Sequence, residues 1–234
     1  MALPTVVCGR NGRMANLLAG AVRDTTDLAL AGRLCLRDPA GPPADGVFTS
    51  LAALPAAPAV VVDFTHRAGT VRLLRAAEDT PCALVVGTSG LTGTDQALLR
   101  RVARRRPVLQ AANFSPVMAL LRRFVGELAQ ALDDRWDAAV VDVHHARKVD
   151  APSATASALA RAWGTTRAAP PVSSLRFGDA VSEHRLLAGG AGEQIELAHR
   201  VNERSAFVPG VLAAVRFAGR AAPGLYSLED ALCG

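Results

Sequence analysis

The sequence predicts an α/β protein: a Rossmann-type, doubly wound parallel sheet, with a second α+β domain built on a mixed sheet. Three observations predict it. Short apolar runs alternate with amphipathic stretches through the first half, and strands separated by helices pair in parallel through right-handed crossovers. The first apolar run enters a glycine-bearing turn, Gly9-Arg10-Asn11-Gly12, that opens a helix. After residue 114 the rhythm changes to a long helix followed by segments that alternate apolar and polar residues, as antiparallel strands do.

The elements follow in order. Thr5 to Cys8 is a short apolar strand, and Gly12 to Arg23 is helical, with Met14, Leu17, Leu18 and Val22 on one stripe. Leu28 to Leu34 is the second strand. Ala59 to Phe64 is the third, a buried run that ends in polar residues. A helix from Ala68 to Glu78 leads to the strand Ala83 to Val86, which closes on Gly87-Thr88-Ser89-Gly90. Asp95 to Arg104 is helical and Pro107 to Gln110 is a strand. Pro116 to Leu132 is a long helix, Ala138 to Val143 a strand, and Thr155 to Trp163 a helix. Gly164 to Pro171 is a loop. Ser182 to Ala188 and Gln194 to Arg200 are paired strands, and Pro209 to Arg220 is the final helix. The expected division is a dinucleotide-binding domain over 1–114, a substrate-binding and oligomerisation domain over 115–207, and a C-terminal helix, 208–234, that returns to the first domain.

Composition narrows the function classes. Half of the 234 residues are hydrophobic, which excludes a disordered chain. No apolar run is long and charge-free enough to span a bilayer, and the N-terminus has no basic region before its first strand, so no signal peptide is read. Cys8, Cys35, Cys82 and Cys233 form no CxxC pair and are not spaced with histidines as metal ligands. Free thiols and a cytoplasmic location are expected. A net charge of +5 raises the question of nucleic acid, but only 4% of the chain is aromatic and the densest basic cluster, Arg100 to Arg106, lacks stacking residues. An anionic small molecule suits this charge; no nucleic acid, membrane or metal partner is expected.

The chain uses arginine for 25 of its 26 basic side chains, and its one lysine is Lys148. An ammonium can give up a proton where a guanidinium effectively cannot. Lys148 lies in His144-His145-Ala146-Arg147-Lys148-Val149-Asp150-Ala151-Pro152-Ser153-Ala154-Thr155, beside two histidines that titrate near neutrality. At the other end of the chain, Gly9-Arg10-Asn11-Gly12-Arg13-Met14-Ala15 has the spacing of a dinucleotide-binding turn. Glycine there lets the backbone approach a pyrophosphate at a helix N-terminus. The second strand ends in Arg33, Cys35 and Arg37, without the acid that holds an adenosine ribose. Arg13, Arg33 and Arg37 suit a 2′-phosphate, so NADPH is expected over NADH. His66 is expected to cap the following helix, and His184 and His199 to be structural.

With these pieces in order, the chain resembles the 4-hydroxy-tetrahydrodipicolinate reductase family, also called dihydrodipicolinate reductase. The matching segments are Gly9 to Met14, Val62 to Thr65, Val86 to Gly90, Ala111 to Ser115, His144 to Thr155, Gly178 to His184 and Gly224 to Asp230. The resemblance implies a homo-oligomer, usually a tetramer, and hydride transfer from NADPH or NADH to a cyclic imine dicarboxylate with loss of water. It implies that His144 is the acid–base residue and Lys148 the proton donor, and that His145, Ser153, Ala154 and Thr155 hold substrate. It assigns the cofactor to Gly9, Arg10, Asn11, Gly12, Arg13, Met14, Gly87, Thr88, Ser89, Ala111, Ala112, Asn113 and Phe114. Arg204 matches a family arginine near the nicotinamide. Three departures stand out. Ala154 replaces a glycine, Cys35 replaces the ribose-binding acid, and the segment before Arg176 is shortened. They leave open a relative that reduces another cyclic imine or unsaturated dicarboxylate, and, in a different class, a catalytically silent nucleotide-binding protein.

Overall fold

The computed structural model describes residues 2–36, 46–54, 59–165, 168–179 and 182–233. They divide into two compact units: Met1–Phe114 with Phe207–Gly234, and Ser115–Ala206.

The first unit is built on a seven-stranded sheet in the order β11-β6-β5-β4-β1-β2-β3. Its strands are β1 (Leu3–Cys8), β2 (Leu28–Leu34), β3 (Val47–Phe48), β4 (Val60–Asp63), β5 (Ala83–Val86), β6 (Pro107–Gln110) and β11 (Gly224–Tyr226). Every pair is parallel. Helices α1 (Arg13–Arg23), α2 (Arg67–Ala76), α3 (Gly93–Ala103) and α6 (Val208–Ala218) flank it, and α7 (Leu228–Cys233) ends the chain. Strands covered on both faces read as unbroken apolar runs, which is why Val60, Val61 and Val62 are all buried. Val6, Val61, Leu84 and Val108 pack against Leu73, Leu74, Leu99 and Val102 of α2 and α3. On the other face α6 packs on β4, β5 and β6. The strand order reverses between β1 and β4, and the crevice outside such a switch point is where parallel α/β sheets take their ligands.

The second unit is a mixed sheet in the order β10-β9-β7-β8, with α4 (Pro116–Ala131) and α5 (Ala154–Trp163) on one face. Strand β7 (Asp137–His144) is parallel to β8 (Val172–Arg176) and antiparallel to β9 (Ser182–Gly190). Strand β10 (Glu193–Val201) returns against β9 with His199 opposite His184. The tight β9–β10 turn uses Gly192 at φ +90°, a conformation open to glycine without strain. Val140, Leu186 and Ala188 of the sheet enclose Trp163 together with Val125, Ala129 and Leu159 of the two helices. Side chains alternate along a strand, so Asp142 and His144 share the helix-covered face with Val140.

Five elements depart from the sequence expectation. β3 and β11 are too short to show a period, and α7 follows β11 within a segment expected to hold one helix. β8 was hidden because Val172-Ser173-Ser174-Leu175-Arg176 carries two serines and one clear apolar partner for each face. β7 runs one residue further than expected, so His144 ends a strand and does not start a loop. Among the described residues no helix is long and apolar enough to cross a membrane. All four cysteines are free, Cys8 and Cys82 in the core.

Candidate active site

The carboxyl edge of the first unit's sheet gathers the glycine-bearing loops. Gly9 follows β1 at φ +110°, and its N–H bonds the carbonyl of Leu34 (2.8 Å). A Cβ on Gly9 would stand 3.2 Å from Ala15 Cβ, so the close turn requires glycine and tolerates no more than alanine at the third small position. Gly12 occupies the N-cap of α1 with no side-chain cap, which leaves the first-turn N–H groups for an external acceptor. Gly87 follows β5, where a Cβ would run into the Phe64 ring; Phe64 in turn packs on Phe114 at 4.9 Å. The buried hydroxyl of Thr88 has no partner among the described residues. Ala111 leaves β6 bonded to the Val86 carbonyl (3.2 Å). Ser89 and Ala112 are exposed at this edge, Asn113 half-buried and Phe114 buried. Arg10, Asn11 and Arg13 are exposed on the β1–α1 turn, with Met14 half-buried. The uncapped helix end, the glycine cradle and the orphaned Thr88 hydroxyl fit a dinucleotide.

Two expectations at this edge change. Arg33 does not reach outward: its Nε donates to the Gly9 carbonyl (3.0 Å) and its Nη1 to Asn16 Oδ1 (2.8 Å), so it braces the glycine turn. Only its Nη2 lacks a partner among the described residues. Arg37 lies outside the described residues. His66 stands at the N-cap of α2, but its side chain makes no cap bond there. Asp63 does the buried polar work instead, accepting from Thr70 Oγ1 (2.5 Å) and from the N–H and hydroxyl of Thr65 (2.9 and 2.6 Å).

In the second unit the structure brings His144, Ser153 and Thr155 to the end of β7 and the start of α5. Their centre is Asp142, a fully buried carboxylate that sequence reasoning missed. Its Oδ2 accepts from the Ser153 N–H (2.9 Å), Ser174 Oγ (3.1 Å) and Arg176 Nη2 (2.8 Å). Its Oδ1 lies 2.9 Å from His144 Nδ1 and 3.5 Å from His184 Nε2. Burial alone would raise the Asp142 carboxyl, but hydrogen bonds from His144, Arg176 and Ser153 outweigh it and hold the group well below the carboxylate range. The cluster Asp142, His144 and His184 has the side-chain types of a cation site. The Arg176 guanidinium on the same carboxylate already supplies its counter-charge.

Ser153 is the N-cap of α5 and accepts from the Ala156 N–H (3.1 Å). Its hydroxyl also lies 3.2 Å from His184 Nε2. The same device recurs at α4, where Ser115 caps the helix and its hydroxyl meets His199 Nε2 at 3.1 Å. His184 and His199 thus brace helix starts. Ala154 is the first residue of α5, solvent-exposed, and Thr155 follows it, buried. Lys148 has a side chain 21% exposed, and its Nζ sits 2.8 Å from both oxygens of Asp150. His145 is half-buried; burial and then the charges of Arg147, His144, Lys148 and Arg204 lower its pKa. Arg204 opens a short 3-10 turn, Arg204–Phe207, in this second unit.

The buried imidazole of His184 makes a stability prediction. It is pushed from 6.5 down to about 4, by burial first, with His144, His199 and Lys148 acting the same way against Asp142. The unfolded chain therefore binds this proton more readily than the folded one. The contribution of neutral His184 is complete above about pH 6.5 and is lost as pH falls toward 4, by up to about 3 kcal/mol. His145 and His199 shift in the same sense. The depressed carboxylates Asp142, Asp150 and Glu183 lose their own contribution only below about pH 4. Denaturant midpoints should fall steadily between about pH 6.5 and pH 4; a flat profile there would contradict a neutral, buried His184.

Comparison with known proteins places this geometry. Residues 3–114 match the family model "Dihydrodipicolinate reductase, N-terminus", and residues 117–232 match "Dihydrodipicolinate reductase, C-terminus". The chain is 39% identical to 4-hydroxy-tetrahydrodipicolinate reductase of Stenotrophomonas maltophilia (strain K279a), over 98% of each chain. It is 35% identical to the protein of that name from Rhodopseudomonas palustris (strain TIE-1), over 97% of this chain and 96% of the relative. The first alignment spans 234 positions and the second 262, so the Stenotrophomonas relative is as short as this chain. Among solved structures, dipicolinate-bound dihydrodipicolinate reductase from Paenisporosarcina sp. TG-14 shares the fold at a TM-score of 0.79, with 22% identity over 98% of this chain and 99% of that one. Both halves of the sequence, the segments around both sites and the near full-length relatives agree: this chain belongs to the dihydrodipicolinate reductase family.

Proposed function

We propose that the chain is an NAD(P)H-dependent reductase of 4-hydroxy-tetrahydrodipicolinate, a cyclic dicarboxylate of lysine and diaminopimelate biosynthesis. The observation that carries this reading is the second unit's site. A single lysine, a histidine fixed on a buried carboxylate and an open helix start lie within one loop and its flanking ends. Once the C4 hydroxyl has left as water, bound NAD(P)H would supply a hydride to the resulting conjugated imine, and the negative charge left on the ring would need a proton. Lys148, an ammonium in a half-buried setting, donates that proton, and His144 is the acid–base group beside it. Ser153, Ala154 and Thr155 offer one carboxylate a hydroxyl and the first-turn N–H groups of α5, with His145 adding a donor. The cofactor is held by Gly9 to Met14, by Gly87 to Ser89 and by Ala111 to Phe114, and Arg204 acts near its nicotinamide. A catalytically silent protein would have no use for so costly a buried network. Titration with pyridine-2,6-dicarboxylate, a flat relative of the substrate, tests the reading. Binding that strengthens with cofactor and competes with substrate supports it, and no binding would remove it.

The cofactor preference rests on charge. Cys35 cannot accept from a ribose diol as a carboxylate does, and Arg13 and Arg37 remain candidates for a 2′-phosphate after Arg33 is assigned to the glycine turn. NADPH should bind more tightly than NADH, and the gap should narrow as salt rises. Calorimetry at two ionic strengths measures both; tighter NADH binding would overturn the preference.

Ala154 bears on the substrate. Its methyl stands at the first turn of α5, where a carboxylate would meet the backbone. Ala154→Gly should raise kcat/KM on 4-hydroxy-tetrahydrodipicolinate, because a first-turn glycine costs the helix little and opens the approach. An unchanged value would make the methyl neutral. A cytoplasmic location and a homo-oligomer complete the proposal. Leu175, Phe177 and Leu187 are exposed on the second unit. Leu175 and Leu187 pair with Val143 and Ala139, on the sheet face opposite the helices. This apolar face suits burial against another copy.

A further inference from the structure

We propose that Asp142 is a positioning residue of this site: its two oxygens fix which nitrogen of His144 carries the proton and which way the Ser153 hydroxyl points. The inference rests on the reading of His144 as the acid–base group. Its first support is cost. A carboxylate with no exposed surface, on the face of β7 that otherwise carries Val140, is unfavourable unless every lone pair is used. The two oxygens are used differently. Three donors, from Ser153, Ser174 and Arg176, converge on Oδ2, so the carboxylate cannot turn. Oδ1 is left facing two imidazoles.

Oδ1 of Asp142 and Nδ1 of His144 are both buried, and neither makes a well-aligned hydrogen bond among the described residues, yet they lie 2.9 Å apart. A proton on Nδ1, with a small turn of the ring, satisfies both atoms. The neutral ring then presents a bare Nε2. His184 is read the same way. Its Nδ1 has no acceptor among the described residues, so its one proton in the neutral form sits on Nε2, toward Ser153 Oγ and Asp142 Oδ1. Ser153 Oγ already accepts from the Ala156 N–H. With both acceptor positions used, its own hydrogen is left to donate, to the Asp142 carboxylate or to a bound substrate carboxylate. The charged and titratable groups around His144 are Asp142 on its own strand, Arg176 on β8, His184 on β9, and His145 and Lys148 on the following loop.

Asp142→Asn inverts this arrangement. Three donors hold the amide oxygen at the Oδ2 position, so the NH2 group must face His144 Nδ1. That nitrogen must then be bare, the proton moves to Nε2, and the imidazolium is disfavoured. In protein labelled with 15N-histidine, wild-type His144 should show a protonated Nδ1, and the variant a protonated Nε2. Turnover should fall by about a hundredfold or more and the pH–rate profile should lose a limb, while cofactor affinity stays unchanged. In a His144→Gln background the same substitution should cost little further turnover. A bare Nδ1 in the wild-type protein overturns the proposal whether or not the variant folds. So does a variant with wild-type turnover when His144→Gln has lost it. Wild-type turnover in His144→Gln itself would instead remove the acid–base reading, and the nitrogen resonances would still report on Asp142.

Discussion

Lys148→Ala should lower kcat on 4-hydroxy-tetrahydrodipicolinate by about a hundredfold or more, with NADPH affinity unchanged. The proposed role puts the ammonium at the substrate, and the glycine-bearing loops proposed for the nucleotide belong to the other unit. Folding does not confuse the result. Lys148 pairs with Asp150, whose side chain is 52% exposed, so losing the pair leaves a solvated carboxylate and costs no more than about 1 kcal/mol. Lys148→Arg sharpens the test. It keeps the positive charge for the dicarboxylate but cannot give up a proton, so it should restore substrate binding and not turnover. Recovery of turnover with arginine would reduce Lys148 to a charge. Unchanged turnover in Lys148→Ala would remove it from the chemistry.

Arg176→Met should destabilise the protein by about 3–5 kcal/mol, because it leaves the buried Asp142 carboxylate without its cation. Arg176 does more than pair. Its Nη2 also donates to the Asp150 carbonyl (2.7 Å), and its Nη1 donates to the Asp142 carbonyl (3.2 Å). One guanidinium therefore ties β7, β8 and the lysine loop together. The Asp142 carboxyl should move up toward its ordinary range, so acid unfolding begins at higher pH in the variant. Arg176→Lys supplies charge without the fork and should recover part of the loss. Denaturant titration measures the difference; equal stability in wild type and Arg176→Met would mean that Ser153, Ser174 and the histidines suffice to hold Asp142.

The first unit was legible because its physics is periodic. Val60 to Val62 and Ala83 to Val86 are buried on both faces and read as apolar runs, and the Gly9–Gly12 turn sits where a parallel sheet takes its ligand. β3 and β11 escaped because two or three residues carry no period. The candidate site was legible where it is contiguous: His144, His145, Lys148, Ser153 and Thr155 share one stretch of chain. Its supporting groups come from three strands. Asp142 carried a signal in the sequence, an acid two residues before His144 and so on the same face of an apolar strand. Ser174 and Arg176 were hidden with β8, which the serines disguised as loop. His184 was expected to be structural, and it does brace the α5 cap, but the bond to Ser153 could not be seen before β9 was set against β7. Arg33 shows the opposite error. Its charge suggested phosphate, whereas its neighbours across the β1–β2 pair are the Gly9 carbonyl and Asn16, a partnership that only the parallel register discloses.

Following NADPH absorbance when the purified protein is given freshly generated 4-hydroxy-tetrahydrodipicolinate tests the proposed activity. Oxidation should depend on both components, form tetrahydrodipicolinate mole for mole, and be blocked by pyridine-2,6-dicarboxylate. A folded protein that binds NADPH yet leaves it unoxidised in the presence of this substrate would contradict it.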